Sequence, residues 1–136
     1  MSEKFGPFTI PEEHIIKKTQ YSYVFTDIKP VVDGHLLVSP LRCVQFFEDL
    51  TEIEKRDFAN LAKLSGEIMK KHMHTTALSM TIQNGPIAGQ TVSHLHIHII
   101  PRNLPTKWLK VPKFGFEEQK ELTMKYRKYF EEEGEL

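Results

Sequence analysis

The sequence predicts an α+β domain built on an antiparallel sheet. Three observations carry that expectation. Several short segments alternate apolar and polar residues with a period of two, as half-buried strands do. One stretch carries a helical apolar stripe behind a capping signal. The strand-like segments also follow one another closely along the chain, which favours direct antiparallel pairing.

Taken in order, QYSYVFTD at 20–27 alternates and is rich in aromatic residues, so it reads as a strand with Tyr21, Tyr23, Phe25 and Asp27 on one face. IKPVVDG is turn material, and HLLVS at 35–39 is the next strand, ended by Pro40. Residues 51–71 form the main helix. Thr51 and Glu54 fit a capping box, while Phe58, Leu61, Ala62, Ser65, Ile68 and Met69 form the buried stripe. ALSMTIQ at 77–83 alternates again, with Leu78, Met80 and Ile82 on one face. NGPIAG is a Gly/Pro turn. Thr91 to Ile100 forms a histidine-bearing strand ended by Pro101, and an amphipathic helix from about residue 117 carries Leu122, Tyr126 and Phe130.

The chain's 136 residues suit one domain with a real core, and no repeat divides it. Apolar residues make up 40% and charged residues 26%, a globular balance rather than a disordered one. No apolar run is long enough to cross a membrane, and MSEKFGPFTI lacks the apolar core of a signal peptide. Cys43 is the single cysteine, so a reducing interior is expected, cytoplasmic or nuclear. The formal charge is zero but unevenly spread. Between Glu67 and Glu117 there is no Asp or Glu, while Lys70, Lys71, Arg102, Lys107, Lys110, Lys113 and five of the seven histidines fall there. Such a segment does not repel an anion. The positive charge is modest and no aromatic-basic motif accompanies it, so nucleic acid is not the expected partner.

VSHLHIHIIPR at 92–102 holds the chemistry. Strand alternation puts His94, His96 and His98 on one face and Leu95, Ile97 and Ile99 on the other. A lone histidine on a strand is usually structural; three at this spacing are harder to explain that way. A metal fits the spacing poorly. At about 3.3 Å per residue the outer two begin roughly 13 Å apart, whereas zinc takes its ligands at about 2 Å. The flanking sequence offers no carboxylate either, so no metal held by the protein is expected. A polyphosphate fits better, because its oxygens extend along the row. One neutral imidazole can attack phosphorus while a neighbour donates to the developing charge. In QNGPIAGQTV, Gly85 and Gly89 permit close backbone approach, free amides there would form an anion nest, and Gln83 and Gln90 are uncharged donors.

HLHIHII fits the alternating signature of the histidine triad superfamily of nucleotide hydrolases and transferases. KFGPFTI, KPVVDGHLLVSPLR and QNGPIAGQTVSHLHIHIIPR extend the likeness from about residue 3 to residue 102, and they resemble the fragile histidine triad branch of dinucleoside polyphosphate hydrolases. The Gln83-Asn84-Gly85-Pro86 turn and the Pro101-Arg102 ending favour that branch over the purine nucleoside phosphoramidases, whose Trp-Pro-Pro-Gly tail is missing.

The resemblance implies a HIT-like fold with about five strands, one long central helix and a C-terminal helix. It also implies a single domain over 1–136, comprising a nucleotide-binding core at 1–102, a loop at 103–116 and a helix at 117–136. It makes His96 the nucleophile on the α-phosphorus, forming a nucleotidyl-histidine that water then hydrolyses. His98 would bind phosphate oxygens, and its carbonyl would orient the His96 ring. His94 and His35 would support from behind. Gln83 would reach towards the leaving group, Gln90 would hold the α-phosphate, and Asp27 would accept from the ribose hydroxyls. Phe5, Ile10, Phe25 and Leu37 would form the slot for a purine base. A divalent cation, magnesium or manganese, would ride on the polyphosphate, and the chain would be a homodimer.

The chain departs from the branch pattern twice. Asp27 stands where Asn is usual, and the loop NLPTKWLKVPKFG is short and lacks the expected tyrosine, leaving Trp108 and the nearby lysines as candidates for that contact. Three other readings compete with the dinucleotide hydrolase. They are a hydrolase of phosphoramidates or other adenylylated compounds, a nucleotide-binding signalling protein with incidental hydrolysis, and, last, a zinc-dependent enzyme.

Overall fold

A computed structural model describes residues 1–103 and 113–133. The strands are β1 (Glu3–Phe5), β2 (Phe8–Ile10), β3 (Ile15–Lys18), β4 (Ser22–Thr26), β5 (Leu36–Pro40), β6 (Ala77–Ile82) and β7 (Ile97–Arg102); the helices are α1 (Glu52–His72) and α2 (Phe116–Glu132). β1 and β2 make a small hairpin, and the other strands form one antiparallel sheet in the order β3-β4-β5-β7-β6. The predicted α+β class and five-stranded antiparallel sheet are therefore what the chain adopts. The loop reading that named Trp108, Lys107 and Lys110 falls outside the described residues.

The sheet has two differently furnished faces. Val24, Leu36, Val38, Leu95, Ile97 and Ile99 pack with Phe58, Leu61, Ala62, Ile68 and Met69 of α1 and Tyr126 and Phe130 of α2. The alternate residues Tyr23, Phe25 and Leu37 join Ile15 and the hairpin's Phe5 on the other face. Alternation along β4 and β5 thus sorts successive side chains between the two layers. Leu78 and Ile82 of the edge strand β6 pack on the helix side, but Met80 stays 45% exposed.

α1 starts where the sequence places it. The Thr51 hydroxyl accepts from the Glu54 amide and the Glu54 carboxylate from the Thr51 amide, closing the capping box. Every residue of the predicted stripe is buried. α2 begins one residue early, with the Gly115 amide donating to Glu118, and buries Gln119, Thr123, Tyr126 and Phe130, whereas Leu122 is only partly covered. Its polar side chains reach back to the sheet. The Tyr126 hydroxyl donates to Asp33 at 2.5 Å and accepts from the Gly34 amide at 2.8 Å. Gln119 donates to the Thr26 carbonyl at 3.4 Å, and the Thr123 hydroxyl faces that of Thr26 at 3.4 Å. α2 therefore holds both ends of the turn from β4 to β5.

Two local expectations fail. The histidine segment is not a strand from Thr91 to Ile100. Ladder pairing with β5 begins only at Ile97, because beyond Val38 the partner reaches Pro40, which has no amide to give. The Leu95 amide instead donates to the Val44 carbonyl at 2.7 Å, and Ser39 Oγ donates to the Leu95 carbonyl. Pro101 does not end the strand either. β7 runs on through Pro101 and Arg102 opposite Leu78 and Ala77, on a stretch that β5 no longer flanks. β3 and the hairpin escaped the sequence reading: IIKK is too short to show alternation, and a bulge between Ile15 and Lys17 breaks what period there is.

Candidate active site

The three histidines keep the predicted alternation although two of them precede β7. His94, His96 and His98 point away from the helices and are all nearly buried, at 0%, 7% and 8% exposure. Each ring is fixed by a different partner. His94 Nδ1 accepts from the Gly6 amide at 2.9 Å and its Nε2 donates to the Pro40 carbonyl at 2.9 Å. Gly6 turns the hairpin with φ +58°, and a Cβ there would lie 2.9 Å from Val92, so glycine is what lets the hairpin close on His94.

His96 Nδ1 donates to the His94 carbonyl at 2.8 Å. This corrects the expectation that the His98 carbonyl orients the ring. In a segment that has not yet joined the ladder, the carbonyl two residues back is the one that faces it. The proton on Nδ1 leaves the Nε2 lone pair uncommitted. The His98 ring lies 5.2 Å from that of His96 at 71°. His98 Nδ1 faces His35 Nε2 at 3.0 Å, and His35 Nδ1 accepts from the Val31 amide at 3.0 Å. His35 thus carries its proton on Nε2, donates to His98, and places the His98 proton on Nε2.

Burial dominates the electrostatics. It lowers the pKa of His94, His96, His98 and His35 below the ordinary imidazole value. For His98 the pKa falls to about 4, with the neighbouring His35 and His96 adding to the burial and Asp27 opposing it. At neutral pH the rings are uncharged, as a nucleophilic imidazole must be.

Asp27 corrects the picture of a site without acids. The 68–116 stretch lacks carboxylates in sequence, but the residue just past β4 brings one in from beyond β5. Asp27 Oδ2 lies 3.3 Å from His35 Nε2 and 3.9 Å from His98 Nδ1, and Oδ1 accepts from the Lys29 amide at 2.9 Å. The face predicted for Asp27 is right; its histidine partners are not visible in the sequence.

Phe5, Ile10, Phe25 and Leu37 do gather in one cluster, joined by Ile15, Tyr23, Leu41 and Val92. The Phe5 ring sits 5.1 Å from His96 and 5.2 Å from Phe25, and Tyr23 stacks on Phe25 at 5.0 Å. Ile15, Tyr23, Leu41 and Val92 are absent from the slot the sequence predicts; for Tyr23, its place between Phe25 and Tyr21 on one face was the available signal.

The turn before the histidines needs its glycines. Gly85 and Gly89 have φ +109° and +98°, and a Cβ on Gly89 would come within 2.6 Å of Gln83 Nε2. It is not an open nest of amides, however. The amides of Gly85, Ala88, Gly89 and Gln90 all donate to carbonyls inside the turn, because the chain closes there into a 3-10 helix. Its donors are the side chains. Gln83 packs under Gly89, and Gln90, 7% exposed, spends one N–H on the Gln45 carbonyl at 2.9 Å. Asn84, which the sequence marks as part of the turn but gives no partner, anchors it by accepting from the Phe47 amide and donating to Glu48, both at 2.8 Å.

Comparison with known proteins is consistent with this site. The HIT domain model matches residues 9–104. The nitrilase and fragile histidine triad fusion protein NitFhit of Caenorhabditis elegans is 48% identical over 99 residues, covering 73% of this chain and 22% of that protein. A bis(5'-adenosyl)-triphosphatase of Dictyostelium discoideum is 41% identical over 98 residues, covering 72% and 66% respectively. The chain thus spans between about a fifth and just under two thirds of these relatives' lengths. Among solved structures, the Plasmodium falciparum diadenosine triphosphate hydrolase in complex with Cyclomarin A superposes with a TM-score of 0.88 at 34% identity, covering 96% of this chain and 85% of that one.

Proposed function

The chain belongs to the HIT domain family, and from that premise we propose that it hydrolyses dinucleoside polyphosphates of the diadenosine triphosphate type through a nucleotidyl-histidine. The observation that carries this reading is the hydrogen bond from His96 Nδ1 to the His94 carbonyl. It turns a neutral ring so that its Nε2 lone pair is the reactive atom. It also keeps a carbonyl dipole against the positive charge that the ring gains on bonding phosphorus. The names of the Dictyostelium and Plasmodium relatives support the substrate class.

His96 Nε2 attacks the α-phosphorus, the bond to the bridging oxygen breaks, and a nucleoside diphosphate leaves. Water then attacks the same phosphorus, the P–N bond breaks, a nucleoside monophosphate departs and His96 returns to its neutral form. A diphosphate is a good leaving group, so a site without a strong general acid suffices. His98 donates from Nε2 to the phosphate oxygens, Gln83 and Gln90 hold the flanking oxygens, and Asp27 accepts from the ribose. The base lies against the Phe5, Ile10, Phe25 and Leu37 cluster. A divalent cation such as magnesium or manganese, carried on the polyphosphate, would offset its charge.

A substrate panel with product identification tests the reading. Diadenosine triphosphate should yield the monophosphate and diphosphate with kcat/KM well above that for an adenosine phosphoramidate. The reverse order would make the chain a phosphoramidate hydrolase, and tight binding with negligible turnover on both would make it a nucleotide-responsive binding protein. β6 is one of the sheet's two outer strands and carries exposed Met80, so we place a second copy of the chain along it; light scattering should give the mass of a dimer.

A further inference from the structure

Asp27, His35 and His98 are scattered in sequence yet bring three donor atoms together, all within 4.8 Å of one another. We propose that they form a binding site for a divalent transition metal of the zinc class. The separations are 3.0 Å between His35 Nε2 and His98 Nδ1, 3.3 Å between His35 Nε2 and Asp27 Oδ2, and 3.9 Å between His98 Nδ1 and Asp27 Oδ2. The point equidistant from the three lies about 2 Å from each, which is the length of zinc bonds to imidazole and carboxylate. By distance the three donor atoms already stand where an ion would require them. Two imidazoles and one carboxylate suit zinc, cobalt or ferrous iron, whereas magnesium and calcium prefer oxygen ligands alone.

The surroundings both help and oppose. The Lys29 amide holds Asp27 Oδ1, which leaves Oδ2 turned to the histidines. His98 already has its proton on the far nitrogen. His35 does not: its proton must move from Nε2 to Nδ1, and the Val31 amide then loses its acceptor. The positive charge of Arg102 also works against a cation beside His35. The Asp27 carboxylate offsets both, and the usual Asn at this position would not. Site and ion are thus tied to this chain's own departure from the branch pattern.

The test uses the metals alone. Cobalt(II), followed by its visible absorption, should bind the chain with one-to-one stoichiometry, zinc should displace it, and millimolar magnesium should not. Asp27→Asn should weaken cobalt at least roughly tenfold, by loss of the one anionic ligand. His72→Gln, at the separate group where His72 meets Glu132 and Glu133, should leave the affinity unchanged. Cobalt binding equally well to Asp27→Asn, or lost in His72→Gln, overturns the proposal. Imidazole NMR of the unmodified chain guards against a misfolded variant: zinc should shift the His35 and His98 rings far more than His94, and equal shifts or none overturn it too. That nucleotide competes with zinc for Asp27 rests on the function proposed above. The metal titration does not, so either can fail alone.

Discussion

On its helix side the sheet buries aliphatic strand residues against the stripes of α1 and α2, and the directional bonds there gather at helix ends and at the contact of α2 with the turn from β4 to β5. On its hairpin side the same strands bury four imidazoles among Phe5, Tyr23, Phe25 and Leu37, and nearly every ring nitrogen there has a named partner. The core of one side is held mainly by volume, and the imidazole row of the other mainly by hydrogen bonds. Volume is forgiving, because neighbours relax around a missing methyl. A buried donor that loses its acceptor cannot relax into water. The second side is therefore the more exacting one, and it is where the reactive atom sits.

Four substitutions sharpen or break this contrast. His96→Asn should reduce turnover of diadenosine triphosphate by about three orders of magnitude or more, since the nucleophile is gone, while nucleotide binding by calorimetry persists. Near-normal turnover would remove His96 from the chemistry. Leu61→Ala, on the helix side and 2% exposed, should cost about 2–5 kcal/mol in urea denaturation yet leave kcat per folded molecule unchanged. A collapse of kcat would show that the two sides are not separable. His94→Phe keeps the ring volume but strands the Gly6 amide and the Pro40 carbonyl. It should cost about 2–4 kcal/mol, and if urea finds it as stable as the parent, hydrogen bonds are not what holds the hairpin side.

The smallest effect concerns Glu54, the one buried carboxylate on the helix side among the described residues. The Arg42 guanidinium, at 2.7 Å, pulls its pKa down to about 2. A lowered carboxylate pKa stabilises the fold above the unfolded value near 4.5, and that contribution fades as the pH falls towards 2. Arg42→Ala should thus destabilise the fold at pH 7 only modestly, since Arg42 is half exposed and its pair is screened by water. The gap from the parent should narrow below about pH 4; a gap independent of pH would mean that Arg42 acts by packing.

The helix side could be read from the sequence because its rule is periodicity. The stripe from Phe58 to Met69, the capping box at Thr51 and the alternation through Leu95, Ile97 and Ile99 are all local patterns, and each survives folding. The hairpin side was legible in its residue types and faces but not in its partners. That His94 would bind Gly6, or that Asp27 would meet His35 and His98, depends on which strands become neighbours, and no single segment records it. The expected amide nest failed for the opposite reason. The glycines were read correctly, but the turn uses its amides on its own carbonyls.

The grip of α2 on Thr26, Asp33 and Gly34 bears on where this protein can be cut. The segment that the HIT domain model matches closes at residue 104, before the helix begins. A fragment trimmed to that limit would keep all four histidines and Asp27. It would lose the tyrosine hydroxyl and the glutamine that pin the turn between Asp27 and His35. It would also expose the apolar surface that Tyr126 and Phe130 cover. The matched HIT segment and the stretch of chain that holds the turn between Asp27 and His35 in place are then different lengths, and α2 makes up the difference.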